Sequence, residues 1–281
     1  MRETTAFTSP MRKQLLACAL LAITTTHVAA DDKKYTLADL KALVSQKSFK
    51  EAVAHLGDIA PTERNADWQA LAADAATGYI NGLSNDDYGA KIVAIEQLDE
   101  SFPTILKSPR YTKVRTEIGL KGFTRCFNQD SGYWWRSNAS FEVCRDHLVK
   151  FVDADAGNPD LTLRAAKLFR REVSPHSAAA GFFKKAITAH GRSAGAVCKD
   201  EDLKLVVVSG FNAPKDWEQN KIVHDIVVNT CWNEFKSVVI DEYKKASETS
   251  YERRNTCAIL KAKSALSADM TRACEKANKD G

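Results

Sequence analysis

Along most of the chain, apolar residues recur three and four positions apart, strict alternation is rare, and Pro and Gly fall between the periodic segments. That is the signature of amphipathic helices, each burying one stripe. Leu37, Leu40, Leu43 and Val44 make one face, and Phe49, Ala52, Val53 and Leu56 the next, ending near Gly57 and Pro61. Trp68, Leu71, Ala72, Ala75 and Tyr79 predict a third helix, then Ile92, Ile95 and Leu98 a fourth, closed by Pro103. Further helices are predicted over Val114–Phe127, Phe141–Val152, Leu161–Val173, Ala178–His190, Ala196–Phe211, Trp217–Cys231 and Trp232–Tyr243, with a last pair around Ala258 and Ala273. Leu205-Val206-Val207-Val208 alone looks like a strand. Leu203, Val207 and Phe211 share a helical face, however, so it too reads as helix. The expected class is all-α.

Short helices joined by turns invite a search for a repeat. Three segments share one pattern: an aromatic, a small or variable residue three on, and an apolar residue four further. They are Phe49–Leu56 (with Ala52), Tyr88–Ile95 (with Lys91) and Phe141–Leu148 (with Cys144), spaced 39 and then 53 residues apart. Trp68, Leu71 and Ala72 match the opening of a first helix, and Pro103 a terminal proline. Over residues 36–159 this loosely resembles the tetratricopeptide-repeat family, although Ala72 stands where that family has glycine. The resemblance implies an array of antiparallel helical hairpins, an α-solenoid that binds a protein or peptide. Residues 31–160 form the repeat-like region, and 161–281 a C-terminal helical region.

The first thirty residues change the picture of where such an array would sit. Met11-Arg12-Lys13 is a basic head, Leu15–Ile23 an apolar run, and Val28-Ala29-Ala30 a small-residue cleavage site before Asp31-Asp32. This reads as a secretory signal peptide over 1–30, with initiation expected at Met11. The apolar run is too short to span a bilayer. An exported chain, periplasmic or extracellular, with no transmembrane segment is the expectation. Without residues 1–30 the formal charge falls from +4 to +2, with Lys and Arg mixed among Asp and Glu. That mixture argues against a nucleic-acid footprint and for solvated helix faces.

Export carries the cysteines into an oxidising compartment, where an even number favours disulfides. Six follow the leader, and fifteen connectivities are open to six. In a helical hairpin, residues equidistant from the turn face each other. Cys126 and Cys144 centre on Trp135, Cys198 and Cys231 on the Asn-Ala-Pro-Lys-Asp turn, and Cys257 and Cys274 on Ala265-Leu266, where Ser267 can cap the next helix. Each consecutive pair brackets a turn signal, so sequential pairing is expected. Cys144-x-x-His147 has a zinc-ligand spacing, but nothing completes four ligands. No cofactor is expected.

Two further stretches carry candidate chemistry. Tyr133-Trp134-Trp135-Arg136 lies on the loop between Cys126 and Cys144, where aromatics can grip a peptide or stack on a cell-wall sugar. Gly191-Arg192-Ser193-Ala194-Gly195 fits a serine-hydrolase elbow with His224 downstream, which requires a strand before Ser193. The preceding residues read as helix, so Ser193 is expected to cap the next helix and no enzymatic activity is expected. A non-enzymatic binder of a protein or peptide, an envelope scaffold or a toxin-neutralising protein, fits the pattern best. The carbohydrate-binding module and the hydrolase are its rivals.

Overall fold

A computed structural model describes residues 34–84, 87–129, 138–173, 179–212 and 217–279; the side chains of 129, 138–141, 173 and 217–219 are outside this description. Helix dominates these residues and no strand occurs among them. Residues 1–30, expected to be a signal peptide, lie outside them. The helices are α1 (Leu37–Ser45), α2 (Phe49–Ala54), α3 (Ala66–Gly82), α4 (Tyr88–Ser101), α5 (Pro109–Gln129), α6 (Asn138–Ala154) and α7 (Pro159–Val173). They continue as α8 (Ala180–His190), α9 (Gly195–Cys198), α10 (Glu201–Phe211), α11 (Trp217–Asp225), α12 (Trp232–Lys245), α13 (Tyr251–Ala262) and α14 (Ala268–Lys279).

Short polar side chains start these helices by satisfying amide groups that lack an intrahelical acceptor. Thr36 and Asp39 form a reciprocal capping box on α1. Asn65 accepts from the Trp68 amide at 3.0 Å, Asp87 from Ala90 at 2.8 Å and Asn158 from Leu161 at 3.1 Å. Ser267 accepts from the Met270 amide at 3.2 Å, the cap expected on α14.

Two expected helices are modified. The stretch Ala196–Phe211 breaks after Cys198, because Asp200 turns its carboxylate onto the Asp202 amide (2.9 Å) and caps a new helix. The Leu205–Val208 run is helical within α10, with Leu203, Val206, Val207 and Phe211 buried. The stretch Trp217–Cys231 is α-helical only to Asp225. It then widens into a π-turn over Ile226–Thr230, closed by the Cys231 amide on the Ile226 carbonyl at 2.9 Å. Ser193 does not cap a helix: it ends a 3-10 turn, and Ala194 occupies the cap position of α9 with no side-chain bond.

One continuous apolar cluster runs from Leu40 to Cys274, and Tyr35–Gly281 is a single compact unit. Helices pack mainly on neighbours one and two places along the chain, as in α4 on α5, α3 on α5 and α5 on α7. Packing therefore runs through residue 160, where the two sequence regions meet. In the three repeat-like segments the equivalent residues Ala52, Lys91 and Cys144 are all buried, as are Leu56, Ile95 and Leu148.

Disulfides join Cys126 to Cys144, Cys198 to Cys231 and Cys257 to Cys274, with Cα–Cα distances of 6.1, 5.3 and 5.7 Å. These are the consecutive pairs expected from the turns. The first joins α5 to α6 and the third α13 to α14. The second joins the end of α9 to the residue just before α12, so it encloses α10 and α11 rather than stapling one helix to the next.

Candidate functional site

The expected sites fare differently. Tyr133, Trp134, Trp135 and Arg136 lie outside the described residues. Ser193 follows helix α8 directly, through Gly191 in a left-handed conformation (φ 49°), so the strand required by a nucleophile elbow is not in place there. Cys144 is bonded to Cys126, and His147 Nδ1 pairs with Glu96 Oε1 at 2.7 Å, so both members of the zinc-like spacing are otherwise engaged. Among the described residues no group of three His, Cys, Asp or Glu side chains is placed to hold a metal ion. No helix there is long and apolar enough to cross a membrane.

The charged groups that the fold buries lie instead on α4 and α5. Arg115 is fully buried: its Nε donates to Asp99 Oδ2 at 2.7 Å, and its Nη2 to the same oxygen at 2.5 Å and to the Phe151 carbonyl at 2.6 Å. Tyr111 donates its hydroxyl to the other oxygen, Asp99 Oδ1, at 2.9 Å. The guanidinium also lies 3.9 Å from the Phe151 ring centre, over the π face. Phe151 can come this close because Gly119 has no Cβ, which would run into its ring. Burial pushes the Asp99 carboxyl up, while Arg115 and the Tyr111 hydroxyl pull it back down. Burial and the neighbouring Asp99 charge push the Tyr111 phenol up, so it stays a donor. This network ties α4, α5 and α6 together.

One turn from the start of α4 is the second buried cation, Lys91. It lines a cavity of about 200 Å³ with Asn81 of α3, Tyr88 of α4, and Glu117, Ile118, Lys121, Gly122 and Arg125 of α5. Helical spacing sets the array: Tyr88 and Lys91 are three apart, as are Ile118 and Lys121, and Lys121 and Arg125 are four apart, so each set shares a face. Gly122 lets α5 approach α4, since a Cβ there would press on Ile92. The Lys91 ammonium is pulled below its ordinary value, first by loss of water and then by the charges of Lys121 and Arg125. Lys121 makes no hydrogen bond or ion pair among the described residues. Glu117, the carboxylate in the wall, is held by both terminal nitrogens of Arg164 (2.9 and 3.3 Å), which drives its pKa down and keeps it ionised.

A larger cavity of about 490 Å³ adjoins it, sharing Glu117 and Lys121 and adding Arg164, Lys167 and Arg171. Those cations are already matched: Arg164 by Glu117 and Asp160, Lys167 by Asp200 at 2.8 Å, and Arg171 by Asp202 at 2.9 Å.

No family model matches the chain, and no curated protein or solved structure matches it. The geometry therefore stands without a relative to compare it with. The sequence treats Lys and Arg as solvated faces, and the cavity was hidden by that reading, since Lys91 and Lys121 are thirty residues apart. One signal was present: in the repeat-like pattern, Lys91 occupies the position held by Ala52 and Cys144, a place for a side chain that packs inward.

Proposed function

We propose that this chain is an exported, disulfide-stapled array of antiparallel helical hairpins, akin to tetratricopeptide repeats, that binds a protein or peptide partner. The observation that carries the reading is the matching burial of the three repeat-like segments. Ala52, Lys91 and Cys144 occupy one inward position and Leu56, Ile95 and Leu148 another. Packing that falls on helices one and two places along the chain is what a stacked array requires. Three disulfides fit an oxidising compartment, where a thin array without deep layers gains most from cross-links.

A surface for the partner is available on α4 and α6. Val93 and Val143 are exposed, each within about one helical turn of the Glu96–His147 bridge that joins these helices. Exposed valines beside a polar link are the composition of a small docking patch.

Affinity capture from envelope extracts, with the oxidised full chain as bait, tests this. A stoichiometric protein partner lost from the doubly substituted Val93→Asp, Val143→Asp bait is expected. Equal capture by both baits would remove the α4–α6 patch from the reading. Quenching of tryptophan fluorescence by cell-wall sugars, without any protein captured, would overturn the reading as a whole.

A further inference from the structure

We infer that the cleft between the α1–α2 turn, α3 and the start of α5 is a binding site for a pyranose sugar. Its volume is about 470 Å³, and Phe49, Asp74, Thr77, Gly78, Asn81 and Arg110 line it. It lies on other helices than the α4–α6 patch and stands whether or not that patch binds a partner. Lys47 turns the chain from α1 into α2 in a left-handed conformation (φ 62°) that is uncommon for a residue with a Cβ, and so places Phe49. Phe49 is half-buried, yet it is not among the half-buried side chains that pack on the apolar core cluster, as Val44 and Val53 are. Its ring rests on glycine instead. A Cβ at Gly78 would run into Cγ, Cδ1 and Cδ2 of the ring at nearly equal distances, so one face of the ring lies flat on α3. The opposite face and the rim are the exposed part of a ring that lines the cleft. An aromatic face held in this way is a flat apolar platform, on which the C–H groups of one side of a pyranose ring can pack.

The polar lining is mixed, as a ring of hydroxyls requires. Arg110 Nη1 donates to Asp74 Oδ1 at 2.6 Å, and both side chains stay open to solvent (69% and 45% exposed). A guanidinium fork and a carboxylate are thus presented side by side, donors beside acceptors. Asn81 adds an amide that does both. At the floor, Thr77 is 4% exposed, and its buried hydroxyl has no hydrogen-bond partner. Leaving such a group unpaired is costly, and a sugar hydroxyl, which donates and accepts, would pair it. An anion would engage Arg110 without using Asp74, and a cation the reverse, whereas vicinal hydroxyls use the whole set. Size agrees: at ~30 Å³ for each water-sized group the cleft holds about fifteen, which is roughly a hexose ring with its hydroxyls and a few waters.

Saturation-transfer NMR on the oxidised full chain tests the site, with methyl glucoside, methyl galactoside and methyl mannoside as probes and sorbitol as the acyclic polyol. At least one pyranoside should bind saturably and more tightly than sorbitol. Its affinity should fall about fivefold in Phe49→Leu and in Thr77→Val, and stay within about twofold of the parent in Lys236→Gln, an exposed lysine on α12. Thr77→Val should also leave the thermal midpoint unchanged or raised, because it removes an unpaired buried hydroxyl, which separates lost binding from lost folding. Sorbitol binding as tightly as the pyranosides, or no saturable pyranoside at all, would overturn the site. So would binding that is lost in Trp134→Ala and kept in Phe49→Leu, since the sugar would then belong to the Tyr133–Arg136 loop. Mass-spectrometric mapping of lysine acylation on the unsubstituted chain gives a readout independent of variant folding. Saturating pyranoside should protect Lys47, which also lines the cleft, and leave Lys236 unprotected; equal labelling of Lys47 with and without sugar would sink the proposal.

Discussion

Arg115 and Lys91 are buried cations on packed neighbouring helices, and their surroundings are opposite. Arg115 donates to Asp99 and to the Phe151 carbonyl, lies on the Phe151 ring, and shares its carboxylate with Tyr111. Lys91 faces Lys121 and Arg125 across a cavity open to solvent. The first arrangement offsets the cost of burying charge through Asp99, whereas burial and the charges of Lys121 and Arg125 work against the ionised form of Lys91.

The largest effect that would test this contrast comes from Arg115→Met. Removing the guanidinium strands the Asp99 carboxylate, so unfolding in urea should show a loss of about 3–5 kcal/mol, with Asp99→Asn in the same chain restoring part of it. A loss below about 1 kcal/mol would mean that water already reaches the pair. Tyr111→Phe should cost about 1–2 kcal/mol, the value of a buried hydrogen bond to a charged group.

Lys91→Met should act in the other direction, raising stability by about 1 kcal/mol, because it removes a charge disfavoured by burial and by Lys121 and Arg125. A destabilised Lys91→Met would place Lys91 with Arg115 as part of the scaffold. The pH dependence sharpens this further. In the folded chain Lys91 loses its proton below the ordinary 10.5. Between that lowered value and 10.5 the unfolded chain carries the extra proton, so parent stability rises with pH across this window. The advantage of Lys91→Met over the parent should therefore shrink as pH is raised toward 10.5, and a constant advantage would refute the assigned direction.

Much of the architecture was legible because it is local. Helical periodicity marks most elements, and the cysteine pairs could be read because residues equidistant from a turn meet in a helical hairpin. The break before α10 carried a readable cap in Asp200-Glu201-Asp202, an acidic start placed at a helix N-terminus, but the apolar period on either side masks it. The π-turn at Ile226–Thr230 has no local cause in its sequence. The cavity was illegible for a different reason. Asn81, Lys91 and Arg125 converge only when three helices pack, and a lysine on an amphipathic helix is ordinarily solvated. The Asp99–Arg115 pair is hidden in the same way, since spacing does not tell an inward arginine from an outward one.

The three cross-links also give the chain a mechanical character. A chain pulled from its ends bypasses loops whose bonded cysteines are 18, 33 and 17 positions apart. It should therefore extend roughly 220 Å less when oxidised than when reduced, at about 3.3–3.6 Å per residue. The same bypass means that one cut inside any of these loops leaves both fragments tethered. The second half of the chain thus behaves under load as a string of closed loops, with length held in reserve until a thiol releases it.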